Sequence, residues 1–129
     1  MQRLLAIGFQ KAGYWSLNKD KVVFKIDALI NASNVLYAFV NDDIVLYIGK
    51  TTQTLSKRML GYQYPGPTQT TNIRNNTNIK DLLTHTDSLD IYALPDTGLL
   101  HYGDFQINLA AGLEDSLIQT LMPAWNTRL

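Results

Sequence analysis

The chain has 129 residues, 46% of them hydrophobic, and its 11 basic residues balance its 11 acidic ones. This length and composition fit one globular domain and exclude a second full one. The chain contains no cysteine, which excludes disulfides and thiolate metal sites and favours a reducing, cytoplasmic location. No apolar run is long enough to span a membrane, so we expect no membrane association.

The charges are segregated along the chain. All charged side chains of residues 50–80 are basic, whereas residues 81–129 carry seven acidic side chains and a single Lys or Arg, Arg128. A basic segment in a neutral chain predicts a surface that binds a polyanion such as nucleic acid. A solvated charged face without a ligand is the other interpretation of the same pattern.

The first predicted element is a β-hairpin within residues 1–34. Two apolar stretches, 14–17 and 22–26, flank the turn-forming residues 18–20. We expect this segment to add an edge to a sheet formed by later strands, or to serve recognition or oligomerisation.

A clearer hairpin follows, with β-favouring runs at 35–40 and 44–48 around a polar turn at 41–43. If all three turn residues form the loop, Tyr37 lies opposite Tyr47 and the two phenols share one face of the sheet. A two-residue loop within the same turn puts them on opposite faces. We predict the shared face; taken singly, strand tyrosines are typical packing residues.

Residues 51–61 are then predicted to form a helix that one of its threonines caps. Leu55 and Met59 recur at the spacing of a buried stripe. Arg58 precedes Tyr62 by one helical turn, so the guanidinium and the phenol share a side of the helix.

A second helix is predicted to begin with Asn72 as its N-cap and to reach Thr84. The polar residues before it, 68–72, supply amides and hydroxyls suited to phosphate or sugar contacts. Residues 89–94 are expected to form a third central strand, and residues 105–107 a short one.

The last predicted helix, residues 110–121, is ended by Pro123 and carries an unusual acidic residue. Glu114 lies three and seven positions before Leu117 and Leu121, on the helix's own apolar stripe. An inward carboxylate needs a cation, a metal ion or hydrogen-bond donors, because burying it unpaired is costly. Alternatively, it lies at the edge of the stripe and reaches water.

Other catalytic motifs are absent from the sequence. Gly49-Lys50-Thr51 resembles the end of a phosphate-binding P-loop, but Ile44 stands where that motif needs its first glycine. His85 and His101 belong to no local metal or catalytic motif.

One ordered set of residues remains between residues 35 and 126. It consists of Tyr37, Tyr47-Ile48-Gly49, Arg58, Tyr62, Glu114 and Pro123-Ala124-Trp125-Asn126. In residue types, order and spacing this set resembles the GIY-YIG nuclease superfamily, and its ending is similar to the restriction-endonuclease-like branch. The first tripeptide departs from the family pattern, because it has become Leu36-Tyr37-Ala38.

The resemblance implies an α/β (α+β) fold, with a small, mainly antiparallel central sheet flanked by helices. Residues 1–129 would form a single domain, with 1–34 as an N-terminal β extension and 35–126 as the nuclease core. The implied activity is a Mg²⁺-dependent DNA endonuclease, with Mn²⁺ as a substitute metal, that leaves 5′-phosphate and 3′-hydroxyl ends.

The resemblance also implies roles for individual residues. Glu114 would hold the metal and Arg58 would clamp the scissile phosphate. Tyr37 is the candidate general base, its pKa lowered by a neighbouring cation, Lys50 or Arg58. Tyr47 and Tyr62 would position the phosphate or the attacking water. The expected substrate-binding residues are Gly49, Lys50, Lys57, Gln69, Asn72, Arg74 and Asn126.

Two other functions stay open at this point. The chain could be a nucleic-acid-binding module that keeps the nuclease fold without cleaving, or a nuclease directed at RNA. Because a single domain of this kind holds one site and nicks one strand, double-strand cleavage would need two copies, which predicts a homo-oligomer.

Overall fold

The computed structural model describes residues 1–98 and 100–126, so Arg128 lies outside the described residues. Its elements in chain order are α1 (Gln2–Ala6), β1 (Gln10–Asn18), β2 (Lys21–Ile26), β3 (Ser33–Asn41), β4 (Ile44–Thr54), α2 (Leu55–Gln63), α3 (Thr70–Leu83), β5 (Leu89–Pro95), β6 (His101–Tyr102), β7 (Phe105–Gln106), α4 (Leu109–Leu121) and a 3₁₀ turn (Ala124–Asn126). The expected fold class, a small antiparallel sheet flanked by helices, is confirmed.

Five strands form one sheet in the order β2-β1-β5-β3-β4, and every pairing is antiparallel. Both predicted hairpins, β1-β2 and β3-β4, are present. The predicted third strand, β5, lies between them, so the N-terminal hairpin continues the same sheet. As a result β4, which carries Tyr47 and Gly49, forms one edge of it.

Helices cover both faces of the sheet, and β3 is therefore buried along almost its whole length. Tyr37 and Phe39 pack with residues of α2 and α3 on one face. Leu36 and Ala38 pack with residues of α1 and α4 on the other. This two-sided burial explains why β3 appears in the sequence as a continuous apolar run rather than an alternating one.

A β-bulge decides which face the strand tyrosines occupy. The turn between β3 and β4 is residues 42–43, both with positive φ, which is the two-residue loop that predicts opposite faces. The pairing shifts by one residue between residues 39 and 40 of β3. Tyr37 and Tyr47 therefore share a face, with ring centroids 6.4 Å apart. The predicted shared face is confirmed, but a bulge rather than a three-residue loop produces it.

The helix predicted from residue 51 begins later, at Leu55. The preceding residues continue β4, in which Thr51 pairs with Val35 and Thr54 with Ser33. Thr54 then caps α2, since its hydroxyl oxygen accepts a hydrogen bond from the Lys57 backbone nitrogen at 3.2 Å. The threonine cap is confirmed, while pairing with β3 outweighs the local helix signal.

The expected capping role of Asn72 is wrong. α3 begins at Thr70 with Gln69 as its N-cap residue, and Gln69 makes no side-chain cap hydrogen bond. Asn72 lies within the first turn, where its side chain bonds Arg58 instead of the backbone.

The last predicted elements are close to those observed. α4 ends at Leu121, and Met122 adopts a left-handed conformation before Pro123. The short strand predicted at residues 105–107 is present as β7, which pairs with β6. Within residues 1–98 and 100–126, no helix combines the length and apolar character needed to cross a membrane.

Candidate active site

Arg58 is held in place by three side chains from three elements. Its Nε donates to the Tyr37 hydroxyl at 3.1 Å, and its Nη2 donates to the Tyr62 hydroxyl and to Asn72 Oδ1, both at 2.9 Å. Its guanidinium carbon also lies 4.1 Å from the centre of the Tyr62 ring. The predicted placement of Arg58 and Tyr62 on one side of α2 is confirmed, and Tyr37 meets them from the sheet.

The phenols of Tyr37 and Tyr62 are buried and hydrogen-bonded to each other, with 2.6 Å between their oxygens. Burial raises the pKa of both phenols far above the ordinary tyrosine value, and the nearby Arg58 cation offsets this only in part. The predicted lowering of the Tyr37 pKa is therefore wrong, because loss of water outweighs attraction to the cation. Both groups are neutral hydroxyls at physiological pH.

Arg58 remains a cation in this setting. Burial alone would lower its pKa, but the facing phenols of Tyr37 and Tyr62 outweigh that effect and raise it. Among the described residues, Nη1 takes no part in the hydrogen bonds that fix the guanidinium. Gly61 leaves room for this nitrogen, since a Cβ there would lie 3.1 Å from it. A fixed guanidinium with an open edge suits binding of phosphate oxygens.

Gly49 is required by the position of the Tyr37 ring. A Cβ at residue 49 would lie 2.6 Å from both Cζ and Oη of Tyr37, which no side chain could tolerate without displacing the phenol. Gly49 was expected to bind substrate, but the group that closely approaches it in this structure is a phenol of the protein. Tyr47 packs beside it, stacked on Phe39 at 5.5 Å between centroids.

Two amides extend the Arg58 network towards the surface. Asn72 Nδ2 donates to Gln69 Oε1 at 3.1 Å, and the same oxygen accepts from the Gly66 backbone nitrogen at 2.8 Å. Gln69 and Asn72 were expected to contact substrate. In this structure they connect the loop before α3 to Arg58 through hydrogen bonds, and so help to fix the guanidinium.

A cleft of about 380 Å³ opens beside Arg58. It lies where the end of β4, the start of α2 and the start of α4 meet. Its lining includes Arg58 and Lys50 together with the polar side chains of Asn34, Thr51, Gln53 and Asn108.

Glu114 reaches Lys50 of this cleft from α4. Glu114 Oε1 lies 3.8 Å from Lys50 Nζ, and their side chains are 24% and 47% exposed. Glu114 thus meets a cation, as one of the two interpretations expected, but it is partly exposed rather than fully buried. Because a long, partly exposed ion pair contributes little free energy, Glu114 can be drawn to another cation at small cost.

The residues present fit a magnesium ion held by few protein ligands. In the part of the chain that the structure describes, no group of three or more His, Asp or Glu side chains could hold a metal. Magnesium needs no such group, because it keeps several waters and is commonly bound by one or two carboxylates plus substrate phosphate. A partly exposed Glu114 beside a cleft with hydroxyl and amide oxygens satisfies that demand.

Asn126 binds the edge strand. Its Oδ1 accepts from the Ile48 backbone nitrogen at 2.8 Å, and its Nδ2 donates to the Ile48 carbonyl oxygen at 2.9 Å. The amide thus pairs with β4 as a neighbouring strand would. It ties the C-terminal turn to the strand that carries Tyr47 and Gly49, and its expected contact with substrate stays a prediction.

Of the seven predicted substrate-binding residues, only Lys50 is among the described residues that line the cleft. Lys57 and Arg74 are exposed, and neither lines it. Arg74 follows Asn72 by two helical positions, about 200° around α3, so it projects away from Arg58.

Sequence reasoning missed the polar lining from Asn34, Thr51, Gln53 and Asn108. Asn34 and Asn108 stand at the beginnings of β3 and α4, where asparagine has ordinary local roles; Asn108 Oδ1 caps α4 by accepting from the Ala111 nitrogen. A signal for Thr51 and Gln53 was available in the β-favouring threonines, which extend β4 beyond Gly49.

Comparison with known proteins adds evidence about the fold. No family model matches the chain, and no curated protein sequence matches it. Among solved structures it is similar to a glutamate-to-alanine mutant of bacteriophage T4 EndoII, with a TM-score of 0.74 and 23% identity over 98% of each chain. It is also similar to restriction endonuclease HPY188I in complex with product DNA, with a TM-score of 0.55 and 16% identity over 94% of this chain and 78% of that one. The chain shares the fold of both.

Proposed function

We propose that the protein is a DNA endonuclease of the GIY-YIG type that hydrolyses phosphodiester bonds. The observation that carries the proposal is the arrangement of Arg58, fixed by two buried phenols at a cleft that Lys50 also lines, with Glu114 3.8 Å from the Lys50 ammonium nitrogen. A structure with the same fold, the restriction endonuclease HPY188I, was determined with product DNA. The basic segment 50–80 supplies charge of the right sign for DNA.

In the proposed reaction a water oxygen attacks the phosphorus and gives up a proton to solvent water, the bond to the 3′ oxygen breaks, and that oxygen takes a proton from solvent. The products are a 5′-phosphate and a 3′-hydroxyl. Arg58 donates to the non-bridging phosphate oxygens, where negative charge grows in the transition state. Lys50 adds a second positive charge to the same cleft. Because Arg58 is already oriented in the free protein, little reorganisation is needed during the reaction.

Tyr37 and Tyr62 orient Arg58 in this proposal. Proton acceptance by Tyr37 would require a phenolate, which burial strongly disfavours. A neutral phenol instead accepts a hydrogen bond from the guanidinium and fixes its plane. We therefore assign Tyr37 to positioning rather than to the general-base role that the family resemblance implies. Tyr47 packs behind it.

Glu114 is the residue proposed to hold Mg²⁺, with Mn²⁺ as a substitute. When bound, such an ion neutralises charge on phosphate oxygens and makes bound water more acidic. Lys50 currently occupies the neighbourhood of the carboxylate. On DNA binding, the Lys50 ammonium group could turn towards a phosphate, and Glu114 would then be available to hold the divalent ion.

One plasmid experiment separates this proposal from a binding module. Supercoiled DNA is incubated with the protein in Mg²⁺ or in a chelator, and binding is measured separately in chelator. We expect nicks in Mg²⁺ only, and nicks that DNA ligase reseals without prior phosphorylation because the ends are 5′-phosphate and 3′-hydroxyl. Binding with no nicking would support the module, and faster cutting of the same sequence as RNA would support an RNA nuclease.

The plasmid products also test oligomeric state. One site cuts one strand, so we propose that double-strand cleavage requires two copies of the chain. Linear product that rises with the square of protein concentration, while nicking rises linearly, is the expected pattern.

A further inference from the structure

A second and larger cavity lies at the far end of α2 from the Arg58 cleft. Its volume is about 550 Å³, and it lies between the β1-β2 turn, the loop that begins at Tyr64 and the outer side of α3. The residues that matter for its chemistry are Tyr64, Gln63, Asn76, Lys21, Lys80 and Asp20. None of them belongs to the active site described above.

Tyr64 offers a bare aromatic surface in this cavity. Its side chain is 72% exposed, in contrast to the fully buried Tyr37 and Tyr62. Its hydroxyl accepts a hydrogen bond from Gln63 Nε2 at 3.3 Å. A large exposed ring held at one end of a polar pocket is a suitable platform for stacking a nucleobase.

The backbone beneath Tyr64 is fixed. Asn76 Nδ2 donates to the Tyr62 carbonyl oxygen at 2.8 Å and to the Gln63 carbonyl oxygen at 3.5 Å. These bonds satisfy carbonyl groups that the end of α2 would leave open. They also join α2 to α3 at the cavity, so the ring projects from a rigid support.

The charges around the cavity favour an anionic ligand. Lys21 approaches from β2 and Lys80 from α3, and both are exposed. Asp20 is the single acidic residue in the lining, which leaves a net positive charge. Nucleic acid carries a phosphate on each side of every base, so cationic groups flanking an aromatic ring match a nucleotide.

The cavity also lies within reach of a strand bound at Arg58. Tyr64 follows Arg58 by six residues, which is about 9 Å along a helix axis. That length corresponds to roughly three nucleotide steps at about 3.4 Å each along a duplex axis. Six residues also turn about 600° around a helix, so a strand whose scissile phosphate lies at Arg58 would have to curve around α2 to meet Tyr64 a few nucleotides away.

We propose that this cavity binds an unpaired nucleotide of the substrate strand, with its base stacked on Tyr64 and its phosphates near Lys21 and Lys80. The inference rests on the proposed function for the identity of the strand. It adds a preference that the active site alone does not supply, for DNA with an unpaired nucleotide a few positions from the cut.

Binding in chelator tests the proposal without any need for cleavage. Fluorescence anisotropy is measured with two labelled duplexes of one sequence, one fully paired and one with a short single-stranded gap. Tyr64→Ala should weaken binding of the gapped DNA by about 5- to 150-fold, the range for loss of one base-aromatic stack. Tyr64→Phe, which keeps the ring, should bind like the wild type. Tyr102→Ala is the matched control, because Tyr102 is 82% exposed on the distant β6.

The lysines give an independent measure. Lys21→Ala and Lys80→Ala should each reduce the dependence of log affinity on log salt by about one unit, whereas Lys25→Ala, on the same strand as Lys21, should leave it unchanged. Equal affinity of wild type and Tyr64→Ala for gapped DNA would overturn the proposal, and so would failure of the wild type to prefer gapped over paired DNA. If Tyr64→Ala weakens binding of gapped DNA but the wild type never nicks plasmid in Mg²⁺, the nucleotide site is supported and the proposed nuclease function is contradicted.

Discussion

The Arg58 wall of the cleft and the Lys50–Glu114 pair differ in how firmly their charged groups are held. On the wall, Arg58 is half-buried and takes part in three hydrogen bonds of 2.9 to 3.1 Å. Lys50, which also lines the cleft, and Glu114 of α4 are partly exposed and separated by 3.8 Å. We infer that the rigid Arg58 wall is a preformed site for an anion, whereas the pair can exchange one cation for another.

This contrast suits phosphodiester hydrolysis. Electrostatic stabilisation of a transition state is strongest when the donors are oriented before the reaction starts. A divalent ion, by contrast, must enter with its waters and leave, which an open carboxylate allows. We infer that rigidity is concentrated where charge develops on the phosphate, and freedom where the ion exchanges.

Removing the guanidinium tests the rigid wall with the largest expected effect. Arg58→Ala should slow single-turnover cleavage by about 10²- to 10³-fold, or about 3 to 4 kcal/mol, as loss of a preorganised donor does. Arg58→Lys should recover little of this, because an ammonium group cannot reproduce the planar fork. Lys57→Ala, which removes the exposed neighbouring cation, is the control. A similar loss in Arg58→Ala and Lys57→Ala would mean that general basic charge, rather than the oriented guanidinium, matters.

A substitution that crowds the Tyr37 phenol tests whether this ring keeps Arg58 oriented. Gly49→Ala places a Cβ 2.6 Å from the phenol, so the ring must move and Arg58 loses its orientation. We expect a loss of about 1–3 kcal/mol in the free energy of unfolding, measured by urea denaturation, and a matching loss of cleavage rate. In Gly112→Ala the new Cβ meets nothing within 4 Å, and α4 should become more stable by about 0.5–1 kcal/mol. Unchanged stability of Gly49→Ala would contradict the described packing.

The buried phenols predict an alkaline limit to stability. Above pH 10 tyrosine in the unfolded chain loses its proton, while Tyr37 and Tyr62 keep theirs because burial raises their pKa. The unfolded state then binds fewer protons, so this stability is fully present below pH 10 and falls by about 1.4 kcal/mol per pH unit for each phenol above it. In Tyr62→Phe, measured by urea denaturation between pH 9 and 11, the free energy of unfolding should fall less steeply than in the wild type, by about 1.4 kcal/mol per pH unit above pH 10. Tyr102→Phe should decline like the wild type, and an unchanged slope in Tyr62→Phe would show that its phenol titrates normally.

Much of the fold could be predicted from local sequence pattern. The hairpins follow from β-favouring runs around polar turns. The need of an inward Glu114 for a partner follows from the cost of burying a lone carboxylate, although the sequence did not indicate Lys50 as that partner. The boundary between β4 and α2 could not be predicted, because Thr51, Thr52 and Thr54 suit both a strand and a helix cap and only pairing with β3 decides. The role of Asn72 likewise depends on Arg58, which is far from it in sequence.

The site was less predictable than the fold because its electrostatics depend on burial. The family resemblance implied that Tyr37 and Arg58 meet, but burial raises the pKa of the Tyr37 phenol by more than the nearby cation lowers it. Here burial reverses the expected sign. The shared face of Tyr37 and Tyr47 was predicted correctly, but from a three-residue loop. The structure has a two-residue loop and a β-bulge instead, and a bulge leaves no clear mark in a single sequence.

The central claim, that Glu114 serves the reaction at this cleft, is tested most directly by comparing Glu114→Gln with Asp115→Asn. Both variants remove one negative charge from α4, but Asp115 is exposed and Glu114 faces Lys50. We predict that plasmid nicking in Mg²⁺ falls by more than about 100-fold in Glu114→Gln. Loss of a residue that only supports a metal ligand typically costs about 10- to 100-fold, so a larger loss would indicate that Glu114 is itself the ligand. DNA binding in chelator should be retained, and Asp115→Asn should cut like the wild type. Equal nicking by Glu114→Gln and the wild type would contradict the account.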